Sequence, residues 1–296
     1  MCDQNYLKKL KSEFISYPLD DKDLLHHTDI LKKYQTNPLF FDIQYDKDKY
    51  EISVNYFKTH AKHIDCDGKS LLYKYCEKGL LYIIKILVSN GASINPMYRK
   101  YIPLHIAISE KNFDLVKFLV SEGADVNVKS LPDFEVPLYI SVKKNCFDIT
   151  KFLIDNGADV NRRCCFYKYP ILATACMFSS IEIIGLLLDN GAKINLTTKE
   201  GETPIRYMAS RSSIPIYTFL IEKGADINLP NIFGETITYA ALDLRYWDVF
   251  DFFVSKGGIC EKIKYIDKEN YDTCLKILKK HKLGKDADKY FKVFVY

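Results

Sequence analysis

One stretch of this sequence recurs six times at a nearly constant interval. It is clearest in FDLVKFLVSEGADVN, residues Phe113–Asn127. In each copy a run of apolar residues ends at a glycine, and successive glycines are 32, 34, 34, 33 and 33 residues apart. The glycines are Gly91, Gly123, Gly157, Gly191, Gly224 and Gly257. A period of this length predicts an array of small units, because each unit buries its apolar face only against its neighbours.

Each unit is predicted to contain two helices. Before the glycine, Leu115, Val116 and Leu119 fall on one side of a helix. The glycine suits the left-handed conformation that often ends a helix. Another helix begins upstream at a proline, whose fixed φ suits a first helical turn. The prolines at this position are Pro103, Pro137, Pro170 and Pro204.

The starts of these upstream helices differ in their capping residues. Hydroxyl caps are predicted at Ser70, Thr203 and Thr236, and none is available at Ile102, Val136 and Tyr169. A missing cap costs about 1 kcal/mol, so the second group of helix starts is predicted to be weaker. The fourth unit has one extra residue between Pro170 and Gly191, which we expect in the turn at Ser179–Ser180. Pro215 is expected in the first turn of its helix, where proline is tolerated.

These features resemble the ankyrin repeat, whose signature is Thr-Pro-Leu-His-x-Ala, then an apolar helix, then Gly-Ala-Asp. Ile102–Ala107 lacks only the threonine of that signature, whereas Thr203–Met208 lacks its leucine and histidine. The resemblance covers about residues 64–258. It implies an all-α ankyrin-repeat solenoid of about six helix-turn-helix repeats with short β-hairpin loops and divergent terminal caps. It also implies that His105 has a structural role, joining neighbouring repeats by hydrogen bonds.

The chain is predicted to have three parts. Residues 1–63 form a divergent N-terminal cap or decayed repeats, residues 64–264 form six ankyrin-like repeats, and residues 265–296 form a truncated repeat and C-terminal cap. Within the first part, Asp21–Tyr34 is predicted to be helical, and Tyr50–Tyr56 is compatible with either a strand or a short helix.

Composition limits the compartment and the class of protein. The nine cysteines form no C-x-x-C pair, which favours free thiols in a reducing compartment and hence an intracellular, cytoplasmic protein, with the nucleus as an open alternative. No apolar run is long enough for a membrane helix, and no signal follows Met1. The bias towards Tyr, Lys and Ile resembles ankyrin proteins of poxvirus-type large DNA viruses or intracellular pathogens, which implies a host protein as partner.

No catalytic, cofactor or metal site is predicted. His60, His63 and Cys66 have metal-ligand side chains at three-residue intervals, but no fourth ligand has matching spacing. No phosphate-binding glycine loop is present in the sequence. We therefore expect a monomeric protein that is not an enzyme and binds a protein partner.

The family resemblance implies that the partner contacts hairpin tips and first helices along one concave side. By register, the candidate residues are Tyr98, Arg99, Tyr101, Phe134, Phe166, Tyr167, Lys143, Lys144, Arg211 and Phe233. Aromatic and Arg side chains are typical of interface hot spots. The alternative is that some of these aromatic side chains pack into the neighbouring hairpin.

The lysine-rich C-terminal segment supports a second hypothesis, binding of nucleic acid or an acidic partner. Lys262–Lys292 contains ten lysines, and interspersed with them are Asp267, Glu269, Asp272, Asp286 and Asp288. These acidic residues, and a formal net charge of only +4 for the whole chain, favour a solvated helix face over a phosphate-binding stripe.

Overall fold

A computed structural model describes residues 25–29, 44–63, 69–96, 100–165, 168–209, 213–260 and 268–283. The chain divides into two compact units, Met1–Ser93 and Ile94–Tyr296, and each is described here by itself. The three predicted parts, with boundaries near residues 63 and 264, stay predictions.

The described part of the first unit is helical. Residues 25–29 are helical, and they precede α1 (Gln44–Thr59), α2 (Leu71–Lys78) and α3 (Leu81–Ser89). The ambiguous segment Tyr50–Tyr56 therefore belongs to a helix. Helix α1 packs against α3, and the rings of Phe57 and Tyr75 meet edge-on, 5.2 Å apart between centroids.

The second unit contains five helix pairs followed by a last helix. The first helices of the pairs are α4 (Pro103–Ser109), α6 (Pro137–Lys143), α8 (Ile171–Phe178), α10 (Pro204–Tyr207) and α12 (Ile237–Asp243). The second helices are α5 (Phe113–Ser121), α7 (Phe147–Asp155), α9 (Ile181–Asp189), α11 (Ile214–Glu222) and α13 (Trp247–Ser255). The last helix is α14 (Lys268–Lys280). One short antiparallel hairpin, β1 (Arg163–Cys164) with β2 (Tyr169–Pro170), precedes α8. The predicted all-α array of helix pairs is confirmed.

The core of the second unit repeats with the period of the sequence. Each first helix packs against the first helix of the next pair, from α4 through to α12. In the second helices, Leu119, Leu153, Leu187 and Leu220 occupy the same place before the glycine, and each is fully buried. Full burial of a leucine contributes about 1.5–3 kcal/mol, so this register stabilises every interface in turn.

The predicted helix starts are confirmed in detail, with one exception. The hydroxyls of Ser70, Thr203 and Thr236 accept hydrogen bonds from the backbone N–H three residues later. Ile102 and Val136 provide no side-chain cap. Pro215 lies in the first turn of α11.

The exception is the fourth repeat, where the predicted place of the extra residue is wrong. Helix α8 begins at Ile171, ten residues before the start of α9, the same separation as between the starts of α4 and α5. The turn at Ser179–Ser180 therefore holds no insertion. Pro170 is the N-cap of α8 instead of its first residue, so the extra residue between Pro170 and Gly191 is this proline's one-place shift ahead of the helix.

Asparagines at the end of the repeated stretch join successive repeats. The Asn127 side chain donates to Gly157 O at 2.9 Å and accepts from Asp159 N at 3.0 Å. Equivalent asparagines that accept from the backbone one repeat later are Asn95, Asn161, Asn195 and Asn228. Each such bond satisfies backbone groups that the helix end leaves open.

Candidate functional site

Half of the predicted interface residues can be placed. Tyr98, Arg99, Phe166, Tyr167 and Arg211 lie outside the described residues. Of the rest, Tyr101 is half-buried, whereas Phe134, Lys143, Lys144 and Phe233 are exposed. The structure does not gather these residues into one cluster, since Phe134 precedes α6 and Phe233 precedes α12.

Exposed apolar side chains of the second unit concentrate in the loops between repeats and at the ends of first helices. Of the eight large ones among its described residues, six are there: Leu131, Phe134, Phe178, Ile232, Phe233 and Leu244. The other two, Phe147 and Ile214, begin second helices. These are the loops and first helices at which the family resemblance places partner contacts.

The loop before α6 carries an exposed aromatic ring on a fixed backbone. Phe134 has a φ of 56°, and its carbonyl accepts from Cys165 N in the next loop at 3.3 Å. The Lys129 ammonium lies 5.3 Å from the centre of the Phe134 ring. The ring itself stays 37% exposed, so this aromatic residue does not pack fully into the neighbouring hairpin.

An open groove of about 520 Å³ lies between repeat five (residues 198–231) and repeat six (residues 232–264), and Tyr169 of repeat four also lines it. Its aromatic lining consists of Tyr169, Tyr207, Phe233 and Tyr239, and its carboxylates are Glu200, Glu202, Glu235 and Asp243. The Tyr169 and Tyr207 rings are 4.7 Å apart between centroids. Burial, and then the hydrogen bond to Tyr169, raise the pKa of Tyr207, so Tyr207 is a neutral phenol at neutral pH.

Arg206 organises one wall of this groove. Its guanidinium donates to the Glu235 carbonyl at 3.0 Å and to the Glu235 carboxylate at 2.7 Å, and it also pairs with Glu202. The Asn231 amide donates to the same two carboxylates, at 2.9 and 3.0 Å. The Arg206 side chain is only 11% exposed, so its charge is largely removed from water and depends on these partners.

His105 occupies in α4 the position that Arg206 occupies in α10, third from the start of the helix. Burial lowers the pKa of His105 to about 4, although a hydrogen bond with the Val128 backbone opposes this shift. The imidazole is therefore neutral at neutral pH. It binds the loop that joins its repeat to the next, which is the structural role that the resemblance implies.

The lysine-rich last helix has a structural partner. Lys280 and His281 reach Asp251 in α13, at 2.5 and 2.6 Å from its carboxylate oxygens. These two hydrogen bonds hold the pKa of Asp251 below its ordinary value, although burial opposes them. Many lysines of the segment, including Lys262, Lys264 and Lys285, lie outside the described residues.

The described cysteines are free thiols, and most are buried. Burial raises the pKa of Cys76, Cys164 and Cys274 to about 12, so these thiols are protonated and weakly nucleophilic at neutral pH. Among the described residues, no group of three or more His, Cys, Asp or Glu side chains could hold a metal ion. Cys66 lies outside them. Nor does any helix in the described ranges have the length and apolar character needed to cross a bilayer.

Comparison with family models identifies the repeats. A model of ankyrin repeats, three copies long, matches residues 24–130 and 172–264, and a model of a single ankyrin repeat matches residues 135–164. The chain belongs to the ankyrin-repeat family. Ankyrin repeats generally mediate protein–protein interaction, and their proteins are typically non-catalytic.

Similar proteins share only a short stretch of this ankyrin-repeat chain. The NF-kappa-B inhibitor cactus of Drosophila yakuba is 41% identical over 66 residues, which cover 22% of this chain and 14% of that protein. Cactus of Drosophila melanogaster matches equally well. BRCA1-associated RING domain protein 1 of Caenorhabditis elegans is 36% identical over 67 residues, 10% of its length. These relatives do not support the viral or pathogen resemblance.

The groove of repeats five and six was not predicted from the sequence, although a signal for it exists. Arg206 stands where the ankyrin signature has histidine, and Glu202 precedes it by four residues. A charged residue at a position that is normally half-buried needs a partner. That mismatch with the signature could have indicated the ion-pair network.

Proposed function

We propose that the chain is a non-catalytic module that binds a protein partner on the concave face of repeats two to five. The contact surface consists of the loops between repeats and the ends of the first helices. The proposal rests on the fact that ankyrin repeats generally mediate protein–protein interaction. We also propose that the module is a monomer and acts inside the cell, where its cysteines stay reduced.

The distribution of exposed apolar side chains carries the proposal. Six of the eight large ones in the described part of the second unit lie in loops between repeats or at first-helix ends. Lys143 and Lys144 are exposed beside them at the end of α6. An apolar centre with charged residues at its rim is the usual composition of a protein interface.

The identity of the partner is a separate proposal. Cactus is an inhibitor of NF-kappa-B. We propose the same kind of action for this chain: it occupies a surface of another protein and performs no chemistry on it. The hypothesis of a viral or pathogen protein that engages a host factor stays a prediction.

Affinity capture from cell lysate, followed by titration of the purified partner, tests this function. The test variant is Phe134→Ala/Phe178→Ala. We expect its affinity for the partner to fall at least about tenfold, because interface energy concentrates in a few aromatic residues.

The matched control is Phe147→Ala/Ile214→Ala, which removes two exposed apolar side chains at the starts of second helices. Circular dichroism first establishes that both variants fold. A partner whose affinity falls only for the first variant supports the proposed face. An equal loss of affinity in both variants, or a larger loss of affinity in the control, would contradict the proposed face.

A further inference from the structure

We propose that the groove between repeats five and six binds an extended lysine- or arginine-rich segment of the partner. This inference rests on the proposed function and names the chemistry of the ligand at one place on that face. Among the described residues, the groove is lined by Tyr207, Phe233 and Tyr239 and by four carboxylates, and Arg206 is the only basic side chain in that lining. Four carboxylates against one guanidinium give the described lining a net charge of −3.

Two of the carboxylates are available to a ligand. Arg206 pairs with Glu202 and Glu235, as described above. Glu200 and Asp243 form no ion pair with any described residue. An incoming ammonium or guanidinium group would be a positively charged partner for Glu200 and Asp243, and it would not displace Arg206.

The aromatic lining suits the same ligand. Phe233 is 65% exposed at the rim of the groove, and Tyr169 and Tyr207 lie close together within it. Ring faces attract a cation and also cover the methylene stem of a lysine or arginine. A purely apolar segment would gain the rings but would desolvate Glu200 and Asp243 without compensation, which is unfavourable.

The groove is also fixed before the ligand arrives. The side-chain NH2 group of Asn231 holds Glu202 and Glu235 in place. The side-chain oxygen Oδ1 of Asn231 accepts from the backbone N–H groups of Phe233 and Glu235, each at 2.9 Å. This wall of the groove is therefore already ordered, and little entropy is lost there when a ligand binds at Glu200 and Asp243. A volume of about 520 Å³ accommodates a few side chains of an extended segment and no folded domain.

The charge of the whole chain makes the inference specific. Because the net charge is +4, the overall electrostatic field of the chain repels a basic peptide and attracts an acidic one. Binding of a basic segment therefore has to come from a local negative site. In the described part of repeat three, the position that matches Asp243 is occupied by Lys143, and Lys144 follows it, so the charge there is positive.

Fluorescence anisotropy with labelled peptides tests the proposal. The probes are octapeptides of alternating lysine and glycine, alternating glutamate and glycine, and alternating leucine and glycine, together with an eight-nucleotide single-stranded DNA. The variant is Glu200→Gln/Asp243→Asn, which leaves the Arg206 network intact. We expect the lysine peptide to bind the native chain best, and to lose about tenfold in affinity with the variant.

The control is Glu122→Gln/Glu222→Gln, which changes the net charge equally at the ends of α5 and α11. The lysine peptide should bind this control as it binds the native chain. Equal losses for both variants, or tighter binding of the glutamate peptide, the leucine peptide or the DNA, would overturn the groove proposal. Such a result would leave the Phe134/Phe178 test untouched, and failure of that test would not affect peptide binding here.

Discussion

Two junctions between repeats use the same position in the helix pair in different ways. At the junction of repeats two and three, His105 binds the connecting loop as a neutral, largely buried imidazole. At the junction of repeats five and six, Arg206 binds the connecting loop through Glu235 and stays charged. At these two junctions the residue donates to the next loop, and this donor need not be a histidine.

The difference has consequences for the surface. A neutral imidazole adds no charge, so the junction of repeats two and three needs no carboxylate to compensate for it. Arg206 needs Glu202 and Glu235, and these carboxylates line a groove together with Glu200 and Asp243. Arginine in place of histidine at this structural position thus accompanies a local negative site. The junctions share their other link, an asparagine bridge at Asn127 and at Asn228.

Replacement of Arg206 by methionine should have the largest effect on stability. Methionine keeps much of the apolar stem but leaves Glu202 and Glu235 close together without a cation. Loss of one partner from a buried ion pair costs about 3–5 kcal/mol, and because Glu235 is partly exposed we expect about 3 kcal/mol. Urea denaturation followed by circular dichroism measures the change.

Lys151→Met provides the control for that experiment. Lys151 and Asp155 are both about half exposed and form a pair four residues apart on α7, at 2.7 Å. Exposed pairs of this kind contribute less than about 0.5 kcal/mol. Similar losses for Lys151→Met and Arg206→Met would show that Arg206 does not depend on its burial, and the contrast between the junctions would fail.

Acid should weaken the His105 junction selectively. Its pKa is about 4 in the folded chain and 6.5 for an ordinary histidine, so between these values the unfolded chain binds a proton that the folded chain does not. The free energy of unfolding then falls as the pH drops from about 6.5 to 4 and this contribution is constant below that. After allowance for partial exposure, the loss is about 2 kcal/mol.

Urea denaturation at several pH values measures this loss, and His105→Gln keeps a donor that cannot titrate. The glutamine variant should lose less stability between pH 6.5 and 4 than the native chain does. Identical pH profiles for the native chain and His105→Gln would contradict the assignment.

Much of the fold could be predicted because it depends on local patterns. Glycine spacing, apolar periodicity and the hydroxyls of Thr203 and Thr236 each act within a few residues, and the structure confirms the elements that they predict. The Pro170 error also has a local cause. Proline is accepted both as N-cap and as first helical residue, so its position alone could not locate the extra residue.

The groove could not be predicted in the same way. Arg206 and Glu235 are 29 residues apart, and only the stacking of α10 on α12 brings them together. The predicted interface residues were assigned from the family's register, which says where a loop tip lies and nothing about which charges meet there. The register placed Phe233 and the four carboxylates on loop tips and first helices, but it did not predict that the carboxylates meet in one groove.

The asparagine bridges should contribute equally at the two junctions. Asn127→Ala and Asn228→Ala each remove an amide that donates to a glycine carbonyl and accepts from a backbone N–H. Each loss should cost about 1–2 kcal/mol, and the two values should agree within about 0.5 kcal/mol. Urea denaturation measures both. A clear difference would show that the junctions differ in more than His105 and Arg206.

The smallest expected effect comes from the hydroxyl cap that the Arg206 repeat has and the His105 repeat lacks. Thr203 accepts from Arg206 N at 3.3 Å, whereas Ile102 at the same place in repeat two accepts nothing through its side chain. Thr203→Val keeps the shape and removes the hydroxyl, so it should cost about 1 kcal/mol in urea denaturation.

The variant should also loosen the short helix α10, which positions Arg206. Amide hydrogen exchange at Arg206 N–H should therefore become faster in Thr203→Val, while exchange at His105 N–H should stay as in the native chain. Unchanged exchange at Arg206 would mean that the ion pairs with Glu202 and Glu235 hold α10 without the cap, and that the Arg206 junction is independent of its helix start.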